Sequence, residues 1–180
     1  MDFFKKKICL TVLCFTLQMT TLKSNEILYF MPDESKKALT HLISLINGAK
    51  ENINISIYSF TNKEIAKALK KSALRGVSVN IIYDKSSNFK NPKSTLGFLS
   101  KYKNIHTCLL EGDSNQTKYK GLMHQKMAII DRDVLILGSA NWSKSAFSNN
   151  YETLFMTSNP QTIEKALQYF GQMFSRCVPY

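Results

Sequence analysis

Apolar residues recur along the chain in two rhythms, and the rhythms alternate. Residues 26–31 read as a strand, and 34–49 carry Leu39, Leu42, Ile43 and Ile46 at helical spacing. Pro32-Asp33 suits the start of that helix and Gly48 its end. Residues 52–60 form a β-rich run. Residues 62–75 are helical, with Ile65, Ala66, Leu69 and Ala73 on one face and Gly76 closing the segment. A strand over 77–83, a polar basic loop over 85–93, a short helix over 94–102 and a strand over 105–110 follow. A second loop, 111–121, leads to two short apolar runs, 127–130 and 134–137, with Asp131-Arg132-Asp133 between them as turn chemistry. A strand over 151–157 and a helix over 161–177 complete the pattern. That helix has a buried stripe of Ile163, Ala166, Leu167, Phe170, Met173, Phe174 and Cys177. Strand–helix alternation over most of the length predicts an α/β domain, a mixed β-sheet flanked by helices. No internal repeat interrupts it.

The first 24 residues stand apart. Lys5, Lys6 and Lys7 precede an apolar stretch, 8–22, that as a helix would span roughly 22 Å, short of the hydrocarbon core of a bilayer. A secretory signal peptide fits this segment better than a spanning helix, and an uncleaved membrane tether stays open. The division is therefore 1–24 as leader or tether and 25–180 as the working domain. Export would place that domain in the periplasm or cell envelope, with peripheral membrane association possible. Cys108 and Cys177 remain in the exported part, where an oxidising compartment would let them pair, although nothing in the sequence shows them close.

Charge narrows the choice of partner. The net charge is +11; removing residues 1–24 takes out four lysines and one aspartate and leaves +8. Lysine supplies nearly all of it, since the chain has only Arg75, Arg132 and Arg176. Lysines act as phosphate-facing point charges, whereas bidentate base reading favours arginine. The balance points to a polyanion held without sequence preference, with a merely solubilising basic surface as the plainer alternative.

The chemistry concentrates in 124–141, HQKMAIIDRDVLILGSAN. His124 and Lys126 share a face if the segment is a strand. A hairpin turning about Arg132 sets position 124 near 140 and position 126 near 138. Gly138-Ser139-Ala140-Asn141 then lies beside His124 and Lys126, and Gly138, with no Cβ, permits close approach. Histidine, lysine, serine and asparagine together make a site for a phosphate oxyanion, with His124 as nucleophile. No cluster with metal-ligand spacing accompanies it, so the reading calls for no metal and no cofactor. Asp131 lies seven residues from His124, roughly 23 Å away in an extended strand, and is expected to be structural.

These residues resemble the signature of the phospholipase D superfamily, HxK-D-GSxN, and Glu152 stands where that superfamily carries an acidic residue after the motif. One copy is present, as in the short bacterial endonucleases of the superfamily and their mitochondrial relatives rather than the two-copy phospholipases. The resemblance implies a sheet flanked by helices with the motif at the strand ends. Lys126 and Asn141 would hold a non-bridging phosphate oxygen, and Ser139 would donate to phosphate or shape the turn. Glu152 would accept the second imidazole N–H and fix its tautomer, with a solvent-exposed strand residue as its plainer reading. In-line displacement needs a nucleophile and a proton donor on opposite sides, and one histidine cannot be both in the first step. A twofold homodimer with facing motifs solves this.

Two function classes remain at this stage. The first is a metal-independent phosphodiesterase, with nucleic acid favoured over anionic lipid such as cardiolipin, and single-stranded DNA over duplex. The second is a non-catalytic exported DNA-binding protein. Lys85, Lys93, Lys118, Tyr119 and Lys120 sit in predicted loops that would wall the cleft and track phosphates. Trp142 would stack a base there or anchor the core.

Overall fold

In the computed structural model, the structure describes residues 24–113 and 120–180. The expected leader up to Lys23, and Lys118 and Tyr119 of the second loop, lie outside the described residues. Among the described residues there are eight strands and five helices, of which seven strands and four helices follow the alternation read from the sequence. The strands are β1 (Glu26–Met31), β2 (Asn52–Ile57), β3 (Ser78–Asp84), β4 (Ile105–Leu110), β5 (Lys126–Ile130), β6 (Val134–Gly138), β7 (Glu152–Thr157) and β8 (Val178–Pro179). The helices are α1 (Ser35–Gly48), α2 (Lys63–Leu74), α3 (Lys85–Asn88), α4 (Leu96–Leu99) and α5 (Pro160–Phe174).

All eight strands form one sheet in the order β1-β7-β6-β5-β2-β3-β4-β8. It is mixed: β2, β3 and β4 run parallel, and every other pairing is antiparallel. The parallel part needs crossovers, and α2 supplies the one between β2 and β3. One face buries Leu42 and Ile46 of α1 and Ile65 and Leu69 of α2 with Ile53, Ile55, Ile57, Val79 and Ile81. The other gathers Ile163, Phe170 and Met173 of α5 with Ile82, Met127, Ile129 and Leu135. Central strands covered on both faces read as continuous apolar runs, which is why β3 and β5 lack strict alternation.

The hairpin register agrees with the sequence reading: Met127 pairs with Leu137 and Ile130 with Val134, which sets Lys126 opposite Gly138. Asp131 and Arg132 take left-handed φ values of 51° and 60°, the hand that matches strand twist in a tight hairpin.

Several boundaries differ from the sequence reading. The loop 85–93 opens as a helical turn because the Asp84 carboxylate accepts the Ser87 N–H at 2.8 Å. The helix expected over 94–102 is only α4. The last helix stops at Phe174 rather than Cys177, and the tail turns back so that β8 pairs with β4. A disulfide joins Cys108 on β4 to Cys177, with Cα atoms 5.6 Å apart. Chain fold-back, invisible to local periodicity, brings these two together.

Candidate active site

Antiparallel pairing brings the end of β2, the start of β5, the end of β6 and the start of β7 to one edge of the sheet. The Tyr58 N–H donates to the Gln125 carbonyl at 2.8 Å, which carries the β2–β5 ladder past both strands. His124 lies just before β5, not within it, and is exposed. Its imidazole packs on the Tyr58 ring, with centroids 4.4 Å apart and planes tilted by 56°. Lys126 is 7% exposed. Its Nζ donates to the His124 carbonyl at 2.8 Å and lies 3.1 Å from both ring nitrogens. It also sits 5.0 Å from the Tyr58 centroid, a cation–π distance. Burial pushes the Lys126 pKa below the ordinary lysine value, and the Glu152 and Asp84 carboxylates oppose this only in part. A desolvated cation thus sits against an accessible imidazole, where a phosphate oxygen would gain most from it.

The Gly138-Ser139 corner is built by close packing. A Cβ on Gly138 would stand 2.1 Å from the Thr153 carbonyl oxygen, so β7 can approach only a glycine there. Ser139 Oγ accepts the Thr153 N–H at 3.0 Å and donates to Glu152 Oε2. Asn150 Nδ2 reaches the other Glu152 oxygen at 3.4 Å. The carboxylate is therefore held by Ser139 and Asn150, whereas the sequence reading put it on the imidazole. Ser139 shapes this corner, the second of its two expected roles. Asn141 Oδ1 is buried and has no hydrogen-bond partner among the described residues.

Trp142 takes the second of the two roles left open for it. It is 1% exposed and packs edge-on against Phe60, with centroids 5.1 Å apart. Its N–H donates to the Ser59 carbonyl, and its carbonyl accepts from Thr61 and Asn62. No ring face is open to a base. Trp142 is a core anchor that fixes the backbone next to Asn141.

Asp131 lies at the opposite end of the hairpin, as its position in the sequence required. Its carboxylate accepts the backbone N–H groups of Lys50, Glu51 and Asn52 at 2.8, 2.9 and 3.0 Å. Burial raises its pKa, but the three backbone donors and the nearby Lys50 charge outweigh that and hold it below the ordinary aspartate value.

The loop lysines separate. Lys85 and Lys120 both reach Glu111, at 3.2 and 3.0 Å, beside a cavity of about 370 Å³ that His124 lines with Gln125, Tyr169 and Arg176. Lys93 stands elsewhere, in a groove described below. The sequence reading missed Tyr58 and Asp84. Asp84 is 1% exposed, and its Oδ2 accepts the Met123 N–H at 3.1 Å, one residue before His124. Both follow or end strands at the edge where α/β sheets place their sites, the one signal that would have singled them out. Among the described residues no group of three or more His, Cys, Asp or Glu side chains comes together as a metal site would require.

Comparison with known proteins agrees with this geometry. Residues 42–174 match the family described as cardiolipin synthase, PLD-like domain. The mitochondrial cardiolipin hydrolase of Homo sapiens is 27% identical over 144 residues, 80% of this chain and 54% of the relative. A phospholipase D of Rickettsia felis is 32% identical over 123 residues, 68% of this chain and 57% of the relative. The chain thus spans little more than half the length of these two proteins. Among solved structures, NucT from Helicobacter pylori superposes with a TM-score of 0.85 at 48% identity, covering 88% of this chain and all of that one. Nuc from Salmonella typhimurium, a phospholipase D family member, superposes with a TM-score of 0.72 at 27% identity over 88% of this chain and 99% of that one. A buried lysine set against an exposed histidine, on a sheet shared with NucT and Nuc, places this chain in the phospholipase D superfamily, with one copy of the domain in its 180 residues.

Proposed function

We propose that the chain is a metal-independent phosphodiesterase that cuts nucleic acid, single-stranded DNA in preference to duplex. The observation that carries this reading is the Lys126 ammonium, desolvated and 3.1 Å from the ring nitrogens of an exposed His124. A ring nitrogen of His124 attacks phosphorus, and the bond from phosphorus to the leaving 3′ oxygen breaks. A second histidine protonates that oxygen. Water, losing its proton to the second histidine, then attacks phosphorus, and the nitrogen–phosphorus bond breaks to free His124. The products carry 5′-phosphate and 3′-hydroxyl ends. Lys126 and the side-chain NH2 of Asn141 donate to the non-bridging oxygens, while the Asn141 Oδ1, an acceptor without a partner among the described residues, is left for a donor on a ligand or a facing surface.

The second histidine is His124 of another copy. Support for such a facing copy comes from an uncovered apolar row on the α5 side of the sheet. Leu28, Phe155 and Leu137 pair in line across β1, β7 and β6. Leu28 and Leu137 are 47% and 37% exposed, and Phe30 and Tyr151, nearer the site, are 58% and 92% exposed. Exposed apolar surface beside a half-built site is what an isologous interface would cover. The Cys108–Cys177 bond supports an exported domain in the periplasm or cell envelope.

Nucleic acid is favoured because the +8 domain charge is nearly all lysine and because the single-motif Nuc endonuclease group is the structural kin. A second reading, hydrolysis of an anionic lipid, rests on the relatives named for cardiolipin. Labelled single-stranded DNA, duplex DNA, RNA and cardiolipin, each assayed with EDTA present, separate these readings. Cleavage of single strands with EDTA present is the expected result. Activity restored only by Mg2+ would overturn the mechanism, and turnover of cardiolipin alone would overturn the substrate.

A further inference from the structure

A cavity of about 610 Å³ opens at the same end of the strands as His124, between the first turns of α2, the segment joining α3 to α4, and the chain just after Asn141. Lys63, Lys67, Lys93 and Lys144 line it, with Pro92 and Phe98 among its apolar walls. No carboxylate lines it, and none of the four lysines forms an ion pair among the described residues. Like charges lining one cavity repel one another, more strongly the lower the salt, and an entering anion relieves that repulsion. The apolar component is aromatic. Phe98 is 40% exposed and also borders a second cavity of about 370 Å³, lined by Phe89, Lys101 and Tyr180. Phe89 and Tyr180 are 49% and 51% exposed.

The groove is tied to the catalytic floor by backbone. The Trp142 hydrogen bonds to Ser59, Thr61 and Asn62 lay the strand of chain 141–144 along 58–62. Tyr58, under His124, lies at one end of that ribbon, and Lys63 and Lys144 lie at the other. Lys144 is three residues past Asn141, so their Cα atoms are at most about 11 Å apart. A phosphate at His124 is therefore within one or two nucleotides of the groove.

We propose that this groove is a subsite for nucleotides flanking the scissile phosphate, with phosphates on Lys63, Lys67, Lys93 and Lys144 and bases against Phe98 and then Phe89. The assignment rests on the reading of the His124 site as a nuclease centre. Cations repeated along two joined cavities match a polymer of phosphates, where one lipid headgroup would need one cluster. Exposed rings spaced along the same path match bases, which stack on any aromatic face without regard to sequence. The groove also separates Lys93 from Lys85 and Lys120, which are held by Glu111 at the His124 cavity.

The test uses the full chain and a fluorescein-labelled 20-nucleotide oligo(dT). The variant Lys67→Ala/Lys93→Ala/Lys144→Ala should bind it at least tenfold more weakly at low salt. Its slope of log affinity against log salt should be shallower by about 2, from roughly 0.7 per lost phosphate contact on a single strand. Phe98→Leu keeps apolar bulk but loses the stacking face, and should weaken binding about tenfold with little change in slope. A control removes the same charge at the far end of the strands, in Lys71→Ala/Lys103→Ala/Lys165→Ala, and should change affinity less than threefold. Exposed Lys→Ala changes of this kind leave stability within about 0.5 kcal/mol per site, and thermal unfolding checks the fold of each variant. Equal losses in groove and control variants would overturn the subsite in favour of a diffuse basic surface. Unchanged oligo(dT) binding by the groove variants would overturn it outright. Loss of binding to phosphatidylcholine–cardiolipin vesicles with oligo(dT) binding intact would assign the groove to lipid. Turnover of bis(p-nitrophenyl) phosphate by the unaltered chain reads the chemistry alone, so a failed catalytic reading is told apart from a failed groove.

Discussion

Asp131 offers a quantitative test of how this fold divides structure from chemistry. Its carboxylate gathers three backbone N–H groups at the turn between α1 and β2, far from His124. A hydrogen bond to a charged group is worth about 1.5–3 kcal/mol, and an ordinary one about 1. Lys50 and Glu51 are exposed, so water replaces part of two of these bonds, and the three together contribute about 2 kcal/mol. Asp131 also holds a left-handed φ of 51°, which costs alanine about 1 kcal/mol more than aspartate. Asp131→Ala should therefore lose about 3 kcal/mol, seen as a lower urea midpoint at unchanged m-value and a fall in Tm of about 6–12 °C. Asp131→Asn tolerates the left-handed turn and keeps one acceptor oxygen, and should lose about 1 kcal/mol. The folded-state pKa is depressed, so the contribution is present above the unfolded-state pKa and fades as pH falls through the folded value. The gap between wild type and Asp131→Asn should close in acid, below the ordinary aspartate range. Turnover per folded molecule should stay within about twofold of wild type. A stable Asp131→Ala with lost turnover would refute the reasoning, because it would make Asp131 part of the chemistry.

His124→Ala should abolish turnover with Tm unchanged, and mixed dimers with wild type should also be inactive. Half of wild-type activity in such heterodimers would mean that each chain works alone. Phosphate needs the charged form of Lys126, and burial brings the loss of that charge to lower pH than in an ordinary lysine. The alkaline limb of the pH–rate profile should fall correspondingly early. Glu152→Gln removes one of the two carboxylates that oppose the shift and should move the limb lower still, so an unmoved limb would count against Lys126 as the titrating group. Cys108→Ser/Cys177→Ser should lower stability by about 2–4 kcal/mol, measured by urea unfolding, since the bond closes a loop of 69 residues. Indistinguishable unfolding of the oxidised and mutant chains would show that the bond does not constrain the unfolded state.

The sequence determined the succession of elements, the hairpin register and the membership of the motif. Each is written in local spacing: a period near 3.6 in 34–49 and 62–75, two apolar runs about Arg132, and a histidine two residues before a lysine. The structural role of Asp131 was legible for the same reason, since seven residues of strand cannot fold back on themselves. Tertiary structure decided what local spacing does not encode. Trp142, three residues past Ser139 and next to Asn141, turned inward because Phe60 and the 59–62 backbone receive it. Glu152 went to Ser139 and Asn150 rather than to His124, because the close β6–β7 approach at Gly138 sets those side chains together. Asp84 and Tyr58 joined the site from strands distant in sequence, and Cys177 met Cys108 only because the tail doubles back onto β4. The lysines of the groove come from α2, the α3–α4 connection and the chain after Asn141, and only Lys63 and Lys67, one helical turn apart on α2, are related by local spacing. Periodicity reports which face of an element is buried; which elements then share an edge depends on the order of strands in the sheet, a property of contacts between residues far apart along the chain.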